Sequence, residues 1–294
     1  MVPGQPGTVC VSRRAAVLGH PISHSKSPAL HTAAYAKLGA DIEYSAIDVT
    51  VEGLPPFMGS LRGDDSWCGL SVTMPLKSAM VKEVDEVRGA GAHLGVINTV
   101  VFEHDAGSAR LVGYNTDVAG IVEAVRYAGV ASTPHAAILG GGGTSAAAVA
   151  AVKELGGRHV DVFVRDAGRA GDAEAAAAAV GISLSVRPLA EAAAAVAGTD
   201  LVISTFPPRA ADALADELAG LPGTGAGVLL DVAYDPWPSR LAEVWQGHGG
   251  AVVPGLEMLM YQAAEQIRRF SGCDVDAAVI DVMCDSVGLP RRVF

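Results

Sequence analysis

Residues 138–150 read ILGGGGTSAAAVA: a short apolar run, four consecutive glycines and an alanine-rich run. The apolar run predicts a buried strand, and the alanine-rich run predicts a helix. Glycines between the two permit a tight turn and let backbone N–H groups at the helix N-terminus approach a pyrophosphate. Gly140 and Gly142 fill the first two glycine positions of G-x-G-x-x-G, and Ser145 stands at the third. The segment therefore predicts either a dinucleotide site or an ordinary tight turn.

After Asp117, the chain alternates β-rich runs with alanine-rich runs. The β-rich runs are AAILGGGG, HVDVFV, LVISTF and GVLLDV. Strands and helices alternating at this spacing predict βαβ units and a parallel sheet, which favours the dinucleotide site. The residues of the turn that we expect to bind the cofactor are Gly140, Gly141, Gly142, Gly143 and Thr144.

The end of the next predicted strand bears on the choice between NAD and NADP. An acidic residue there accepts hydrogen bonds from the ribose 2′-hydroxyl of NAD, whereas arginine suits the 2′-phosphate of NADP. The segment VFVRDAGRA places Arg165 at this point, Asp166 next to it and Arg169 one turn into the following helix. Two guanidinium groups against one carboxylate favour NADP. In the alternative, both arginines only solvate the start of a helix.

The residues before position 118 predict a less regular arrangement. AAVLG reads as a first strand, residues 28–38 as a helix that ends at Gly39, and residues 76–87 as a further helix. The fold class expected for the whole chain is therefore α/β with two domains. These are an N-terminal α/β domain and a Rossmann-like, doubly wound parallel-sheet domain.

Composition and charge disfavour several classes of function. Half of the 294 residues are hydrophobic and 18% are charged, so the chain can bury a large core. The net charge of −11 argues against binding to nucleic acid or to an anionic membrane surface. The four cysteines, at positions 10, 68, 273 and 284, lack the paired spacing of a zinc site. We therefore expect no metal, and reduced thiols in a cytoplasmic protein.

Three polar stretches are candidates for a binding or catalytic site. They are SHSKSPALH at residues 23–31, SVTMPLKSAM with Lys77, and GYNTDVAG with Asp117. A lone lysine is usually a solvated surface group, and an aspartate before a helix is usually a cap. Asp117 could cap a helix that starts at Val118. The residue pattern alone leaves these alternatives open.

Several motifs occur together, in order, over nearly the whole chain: SHSKSP, SVTMPLK, GVINTV, GYNTD, the glycine turn and PGLEMLMYQAAEQ. Together they resemble shikimate dehydrogenase, the family that reduces 3-dehydroshikimate with NADPH in aromatic amino-acid biosynthesis. The resemblance implies NADP as the cofactor and shikimate and 3-dehydroshikimate as the small-molecule substrates. It leaves open whether the protein is a monomer or a homodimer.

The resemblance also implies roles for individual residues. Ser23 and Ser25 would hold the substrate carboxylate, and their alternation predicts that both face one side of an extended segment. The residues that would hold the ring hydroxyls are Thr73, Asn98, Asp117 and Gln262. Tyr234 would contact the substrate from the nucleotide side, Gly255 would line the nicotinamide, and Val232 belongs to the same cofactor-binding set.

Lys77 would carry the acid/base role, and elementary chemistry supports this assignment. Hydride delivered to a carbonyl carbon leaves an alkoxide that needs a proton. A lysine ammonium within hydrogen-bond reach is a suitable donor, and Asp117 beside it would orient that ammonium. In the reverse oxidation, neutral Lys77 would act as the base.

Departures from the family pattern leave two alternatives. The usual Asn-Arg-Thr at the 2′-phosphate is Val164-Arg165-Asp166, which keeps the arginine and loses two hydrogen-bonding partners. Asp166 therefore supports an NAD-preferring quinate/shikimate dehydrogenase of the same fold. The second alternative, a non-catalytic sensor, predicts a missing acid/base residue and is disfavoured because Lys77 and Asp117 are both present.

The implied contact of Gln262 with substrate has a consequence for the domains. It requires the C-terminal helices to pack back on the first domain. Residues 1–117 and 256–294 would then form a discontinuous substrate-binding and catalytic domain, and residues 118–255 the NADP-binding domain. We expect the two domains to close on binding.

Overall fold

The computed structural model describes residues 13–105, 108–223 and 227–292, so Cys10 and the residues around it lie outside the described ranges. The strands are β1 Arg13–Gly19, β2 Ile42–Asp48, β3 Trp67–Val72, β4 Glu86–Val87, β5 Thr99–Asp105, β6 Ser108–Tyr114, β7 Ala136–Leu139, β8 His159–Val164, β9 Ser183–Pro188, β10 Leu201–Ser204, β11 Val228–Asp231 and β12 Ala251–Pro254. The α-helices are α1 Ser27–Leu38, α2 Leu54–Leu61, α3 Ala90–Leu94, α4 Asp117–Tyr127, α5 Gly143–Glu154, α6 Gly171–Val180, α7 Ala192–Ala195, α8 Asp212–Ala219, α9 Arg240–Gly247, α10 Gly255–Ser271 and α11 Ala277–Val287.

The second sheet has the strand order β12-β11-β10-β7-β8-β9, and all of its neighbouring strands are parallel. Strands β7, β10 and β11 are buried along their whole length, as expected for central strands of a parallel sheet that is covered on both faces. The chain order reverses between β7 and β10, which is the switch point of a doubly wound sheet. The glycine turn follows β7 directly. The predicted Rossmann-like sheet is confirmed.

The first sheet is mixed, with the order β2-β1-β3-β5-β6-β4. Strand β1 pairs in parallel with β2 and β3, and β5 pairs antiparallel with β3 and β6. The predicted helix at residues 28–38 forms as α1, and Gly39 ends it with φ 64°. A left-handed residue at this place is the usual way to end a helix.

The predicted helix at residues 76–87 does not form. The segment contains only a 3-10 turn, Ala79–Lys82, and the short strand β4. The reason is the free edge of β6: Asp85 N–H donates to the Leu111 carbonyl at 2.9 Å, and Glu86 pairs in register with Val112. Pairing with this edge overrides the local helical pattern.

The C-terminal helices pack against the first sheet. Phe270 on α10 covers Gly69 so closely that a β carbon there would lie 2.1 Å from the Phe270 ring. Helix α11 packs on α1, and one apolar cluster joins Leu30 and Ala34 to Ile267 and Met283. The two ends of the chain therefore share one core.

Helices α4 and α10 are in close contact where the chain passes between the two sheets. A β carbon at Gly120 would lie 2.8 Å from the Met258 carbonyl oxygen and 3.0 Å from Gln262 Cβ. Glycine is needed here because the helix axes approach too closely for a larger side chain. In the described part of the chain, no helix has the length and apolar character needed to cross a bilayer.

Candidate active site

Lys77 and Asp117 meet beyond the end of β3. Lys77 lies in the turn after this strand, and its Nζ donates to Asp117 Oδ2 at 2.5 Å. The Asp117 side chain is 2% exposed, whereas that of Lys77 is 16% exposed. The carboxylate is thus enclosed by protein, and the ammonium beside it still reaches the surface, where a ligand could exchange a proton with it.

The Asp117 carboxylate is engaged by side chains and not by the helix backbone. Oδ1 accepts a hydrogen bond from Asn98 Nδ2 at 2.8 Å, and Oδ2 accepts the bond from Lys77. Asp117 is itself the first residue of α4, and Thr116 before it forms no side-chain cap. The alternative in which Asp117 caps a helix that starts at Val118 is therefore wrong.

The Asn98 amide has one definite orientation. The backbone N–H of Thr116 donates to Asn98 Oδ1 at 2.7 Å, which identifies this atom as the oxygen. Nδ2 then donates one hydrogen to Asp117 Oδ1 and the other to Gln262 Oε1, each at 2.8 Å. Four predicted site residues, Lys77, Asp117, Asn98 and Gln262, thus form one connected polar group.

Ser23 and Ser25 follow β1 in a turn. Ser25 N–H donates to the Ile22 carbonyl at 3.0 Å, and Ser25 Oγ accepts from Ser27 N–H at 3.3 Å. The predicted alternation along an extended segment is therefore wrong, because the chain reverses at residues 23–24. Ser23 is exposed and Ser25 is half-buried, so both hydroxyls remain accessible to a ligand.

Asp48, the last residue of β2, holds this serine turn in place. Its Oδ1 lies 2.7 Å from His20 Nδ1, and its Oδ2 accepts from Ile22 N–H at 3.2 Å. The hydrogen bond with His20 lowers the pKa of the Asp48 carboxyl. Asp48 was not predicted as a site residue. The only sequence signal for it is its place at the end of an alternating strand.

Thr73 lies against the end of β1. Its N–H donates to the Leu18 carbonyl at 2.8 Å, and a β carbon at Gly19 would lie 2.4 Å from Thr73 Cγ2. The same turn carries Lys77. One segment therefore brings Thr73 and Lys77 to the site next to the strand that leads into the serine turn.

The glycine turn has a packed side and an open side. Gly140 has φ 109°, which favours glycine, and a β carbon on it would lie 2.5 Å from Thr205 Oγ1. Gly142 is exposed, and a β carbon on it would meet no atom within 4 Å. Gly143 and Thr144 begin α5, whose N-terminal N–H groups belong to this open side. These residues fit a pyrophosphate, which needs close backbone approach at a helix N-terminus.

Arg165 and Arg169 lie beside the glycine turn and are exposed. Within the described ranges, neither guanidinium forms a hydrogen bond or an ion pair, so both are available to an anion. Asp166 Oδ1, by contrast, accepts from Gly168 N–H at 3.0 Å and caps the 3-10 turn Ala167–Arg169. One oxygen of the Asp166 carboxylate, the group that would favour NAD, is thus already hydrogen-bonded to the backbone.

Val232 and Gly255, predicted for the same cofactor, lie in contact. A β carbon at Gly255 would lie 2.2 Å from the Val232 carbonyl oxygen. Asp231 before them is 2% exposed and accepts from Ser239 Oγ at 2.6 Å, which ties down the loop that carries Tyr234. Burial raises the pKa of the Asp231 carboxyl and of the half-buried Tyr234 phenol.

The glycine turn and the polar group adjoin each other through Val96. A β carbon at Gly143 would lie 3.7 Å from Val96 Cγ1. The Val96 carbonyl accepts from Asn115 Nδ2 at 3.1 Å, and Asn98 follows two residues later. In the described ranges, no group of histidine, cysteine, aspartate and glutamate is arranged to hold a metal ion. The arrangement suits proton transfer beside a bound dinucleotide.

Two family models match the chain. The shikimate dehydrogenase substrate-binding domain matches residues 17–100, and the shikimate 5′-dehydrogenase C-terminal domain matches residues 255–281. Among curated proteins, the chain is 35% identical over 270 residues to shikimate dehydrogenase (NADP(+)) of Rubrobacter xylanophilus. The match covers 90% of this chain and 92% of that protein.

Solved structures show the same likeness. A shikimate 5-dehydrogenase from Mycobacterium fortuitum is 37% identical with a TM-score of 0.78, and the match covers 96% of this chain and 99% of that one. The shikimate 5-dehydrogenase of Thermus thermophilus, solved in complex with NADP(H) and shikimate, is 30% identical with a TM-score of 0.76. This second match covers 93% of the chain and 99% of the Thermus protein.

Proposed function

Since the chain belongs to the shikimate dehydrogenase family, we propose that it catalyses the reversible, NADPH-dependent reduction of 3-dehydroshikimate to shikimate. The observation in this chain that carries the proposal is the Lys77–Asp117 pair, at 2.5 Å, beside the glycine turn. It supplies the proton donor that reduction of a ketone requires. A sensor without turnover would have no need of such a pair.

The proposed acid/base group is Lys77. Its ammonium gives a proton to the oxygen of the substrate carbonyl during reduction, and neutral Lys77 takes the proton back during oxidation. Asp117 holds the ammonium in place from its buried position. NADPH, when bound, supplies the hydride.

Most of the proposed substrate contacts come from segments that flank strands of the first sheet. Ser23 and Ser25 hold the carboxylate from the serine turn, and Thr73 holds a ring hydroxyl. Asn98 has both of its amide hydrogens engaged, one of them by Gln262 Oε1. A substrate hydroxyl that replaces Gln262 Oε1 on Asn98 Nδ2 leaves the bond to Asp117 intact, and Gln262 then turns to the same ligand. Tyr234 reaches the substrate from the nucleotide side.

The proposed cofactor contacts are the glycine turn from Gly140 to Thr144, together with Val232 and Gly255 at the nicotinamide end. Arg165 and Arg169 hold the 2′-phosphate, and their lack of partners within the described ranges supports this role. A phosphate with two guanidinium groups forms charge-assisted hydrogen bonds that a 2′-hydroxyl does not offer. The proposed preference is therefore NADP over NAD.

The proposed division of the chain places residues 1–117 and 256–294 in the substrate-binding and catalytic domain and residues 118–255 in the NADP-binding domain. The apolar cluster shared by α1, α10 and α11 supports it. Three further statements stay predictions. The two domains close on binding, the protein is a monomer or a homodimer, and its location is cytoplasmic.

The test of the proposed function is steady-state turnover with shikimate and with quinate, each with NADP and with NAD. We expect the highest kcat/KM for shikimate with NADP. A clear preference for NAD and quinate would instead support a quinate dehydrogenase, and a lack of turnover in all four combinations would support the sensor.

A further inference from the structure

Gln266 lies on α10, four residues after Gln262, and is 3% exposed. Its Nε2 donates to the Asn98 carbonyl at 3.2 Å and to Thr99 Oγ1 at 3.0 Å. Its Oε1 accepts from Ser71 Oγ at 2.8 Å and from a second donor. A side-chain amide offers two N–H groups and two acceptor sites, so Gln266 uses its full capacity in a buried place.

The second donor to Gln266 is His31. The Asn98 carbonyl can only accept, so the Gln266 atom that bonds to it is the nitrogen, and Oε1 must accept from His31 Nε2, 3.2 Å away. Burial lowers the pKa of His31 to about 3, so the ring is neutral with its hydrogen on Nε2. Its Nδ1 then accepts from the Tyr35 hydroxyl at 3.1 Å. These assignments establish which atom donates in each hydrogen bond that Gln266 forms.

On its other side, Gln266 bonds to the Thr99 hydroxyl, which lies next to the Asn98 amide. The Gln266 N–H takes one acceptor site of the Thr99 oxygen, and Thr99 Oγ1 donates to Asn98 Oδ1 at 2.9 Å, with Thr116 Oγ1 as a further hydrogen-bonding neighbour at 3.2 Å. Asn98 Oδ1 thus accepts from Thr99 Oγ1, from Thr116 N–H and, at 3.2 Å, from Thr116 Oγ1. These bonds oppose a flip of the Asn98 amide, which would turn its oxygen toward the Asp117 carboxylate.

We propose that Gln266 is a positioning residue for the Lys77–Asp117 pair, acting through Thr99 on the Asn98 amide that orients the carboxylate. The proposal rests on the proposed function. Gln266 touches none of the reacting groups. Its effect on turnover passes through the Thr99 hydroxyl, and its bond to the Asn98 carbonyl holds the backbone of the same residue.

The alternative is that Gln266 only stabilises the core, and Tyr44 provides the matched control. The Tyr44 hydroxyl donates to Ser71 Oγ at 2.7 Å, on the side of Gln266 that faces away from Asn98. Tyr44→Phe therefore removes the bonds of this buried hydroxyl to Ser71 and Ser27 and leaves the bonds to Asn98 and Thr99 intact.

The experiment compares Gln266→Met, Thr99→Val and their double variant with Tyr44→Phe. We expect kcat for shikimate oxidation to fall about tenfold in each of the first two, the effect of one lost buried hydrogen bond, and little further in the double variant. Tyr44→Phe is expected to lower Tm and to change kcat by less than about twofold. Thr99→Ser retains the hydroxyl and is expected to keep kcat.

A second readout does not depend on activity. In ¹⁵N-labelled protein, we expect hydrogen exchange at the Asn98 side-chain amide to accelerate in Gln266→Met and Thr99→Val and to stay slow in Tyr44→Phe. Loss of the proposed function would appear as absence of turnover in the unaltered protein and would leave this readout unaffected.

Three results would overturn the positioning role. They are unchanged kcat in Gln266→Met, an equal loss of kcat in Tyr44→Phe, and unchanged exchange at the Asn98 amide. If Gln266→Met fails to fold, Thr99→Val and Thr99→Ser carry the test by themselves, because they differ in the hydroxyl that links Gln266 to Asn98.

Discussion

A β carbon on Gly141 would lie 2.3 Å from the carbonyl oxygen of Arg169, so the glycine turn and the arginine segment are in backbone contact. The two features were predicted separately, one for the pyrophosphate and one for the 2′-phosphate. Their contact means that the arginine segment is held at a fixed place relative to the turn. A change in the turn therefore affects both proposed contacts with the cofactor.

Two neighbouring glycines provide a matched pair of variants. Gly141→Ala places a methyl group against the Arg169 carbonyl. Because such overpacking destabilises the folded state, Tm should fall by several degrees. Gly142→Ala meets no atom within 4 Å, and its backbone is extended, with φ −89°. We expect Gly142→Ala to keep Tm and to raise KM for NADP, because the methyl group occupies the open side. Equal KM values for Gly142→Ala and the unaltered enzyme would count against a pyrophosphate at this turn.

The two exposed arginines should decide cofactor preference. Arg165→Ala and Arg169→Ala each remove a charged donor, and we expect KM for NADPH to rise about tenfold or more while KM for NADH stays unchanged. The measurement is kcat/KM with both cofactors. Arg158→Ala, another exposed arginine at the start of β8, is the control and should alter neither value. If KM for NADPH and NADH changed in parallel, the arginines would not be reading the 2′-phosphate.

Lys77→Ala should abolish most turnover and leave substrate binding largely intact. Removal of a general acid costs about a hundredfold to ten-thousandfold in rate. The readouts are kcat and the Kd of shikimate by calorimetry. Lys82→Ala, a lysine in the same segment, should keep full activity. Near-normal kcat in Lys77→Ala would show that the mechanism is wrong.

His31 should make the protein less stable in acid. Its pKa in the folded state is about 3, below the ordinary value of 6.5. Between these values the unfolded chain binds a proton that the folded protein excludes. The free energy of unfolding should therefore be unaffected by His31 above pH 6.5 and fall as the pH decreases toward 3, by at most about 1.4 kcal/mol per pH unit.

Urea denaturation between pH 7 and pH 4 measures this slope. His31→Gln should be less stable at pH 7 and show a smaller decrease in acid. Tyr44→Phe, which weakens the same cluster without removing an imidazole, should keep the original slope. An unchanged slope in His31→Gln would mean that other groups control the acid dependence.

Much of the fold followed from local patterns. The second sheet was predictable because β-rich runs buried on both faces alternate with alanine-rich helices, and parallel pairing then leaves few arrangements. The helix predicted at residues 76–87 does not form, and the reason is not local. Leu76 and Met80 are buried as the helical pattern requires, yet the free edge of β6 draws residues 85–87 into the sheet. The free edge of β6 exists only once the first sheet has formed, so the local sequence pattern of residues 76–87 does not reveal it.

The site residues were predictable mainly from the family resemblance, because residue type and spacing alone left their roles open. Lys77, Asp117, Asn98 and Gln262 were named from the resemblance to the shikimate dehydrogenase family, and the structure brings them together. Asp48 and Gln266 were missed because their contacts lie far away in the sequence. Gln266 meets Asn98 and His31 only after α10 has packed on the first sheet.

The core shared by the two ends of the chain has a consequence for synthesis on the ribosome. The apolar faces of β1 and α1 stay uncovered until α10 and α11 have been translated, whereas β7 to β12 are complete before α10 emerges. We therefore expect the later sheet to fold first and the N-terminal sheet to wait, open to chaperones, until α10 and α11 have been translated. Completion of the N-terminal core is thus tied in time to the translation of helices far along the chain.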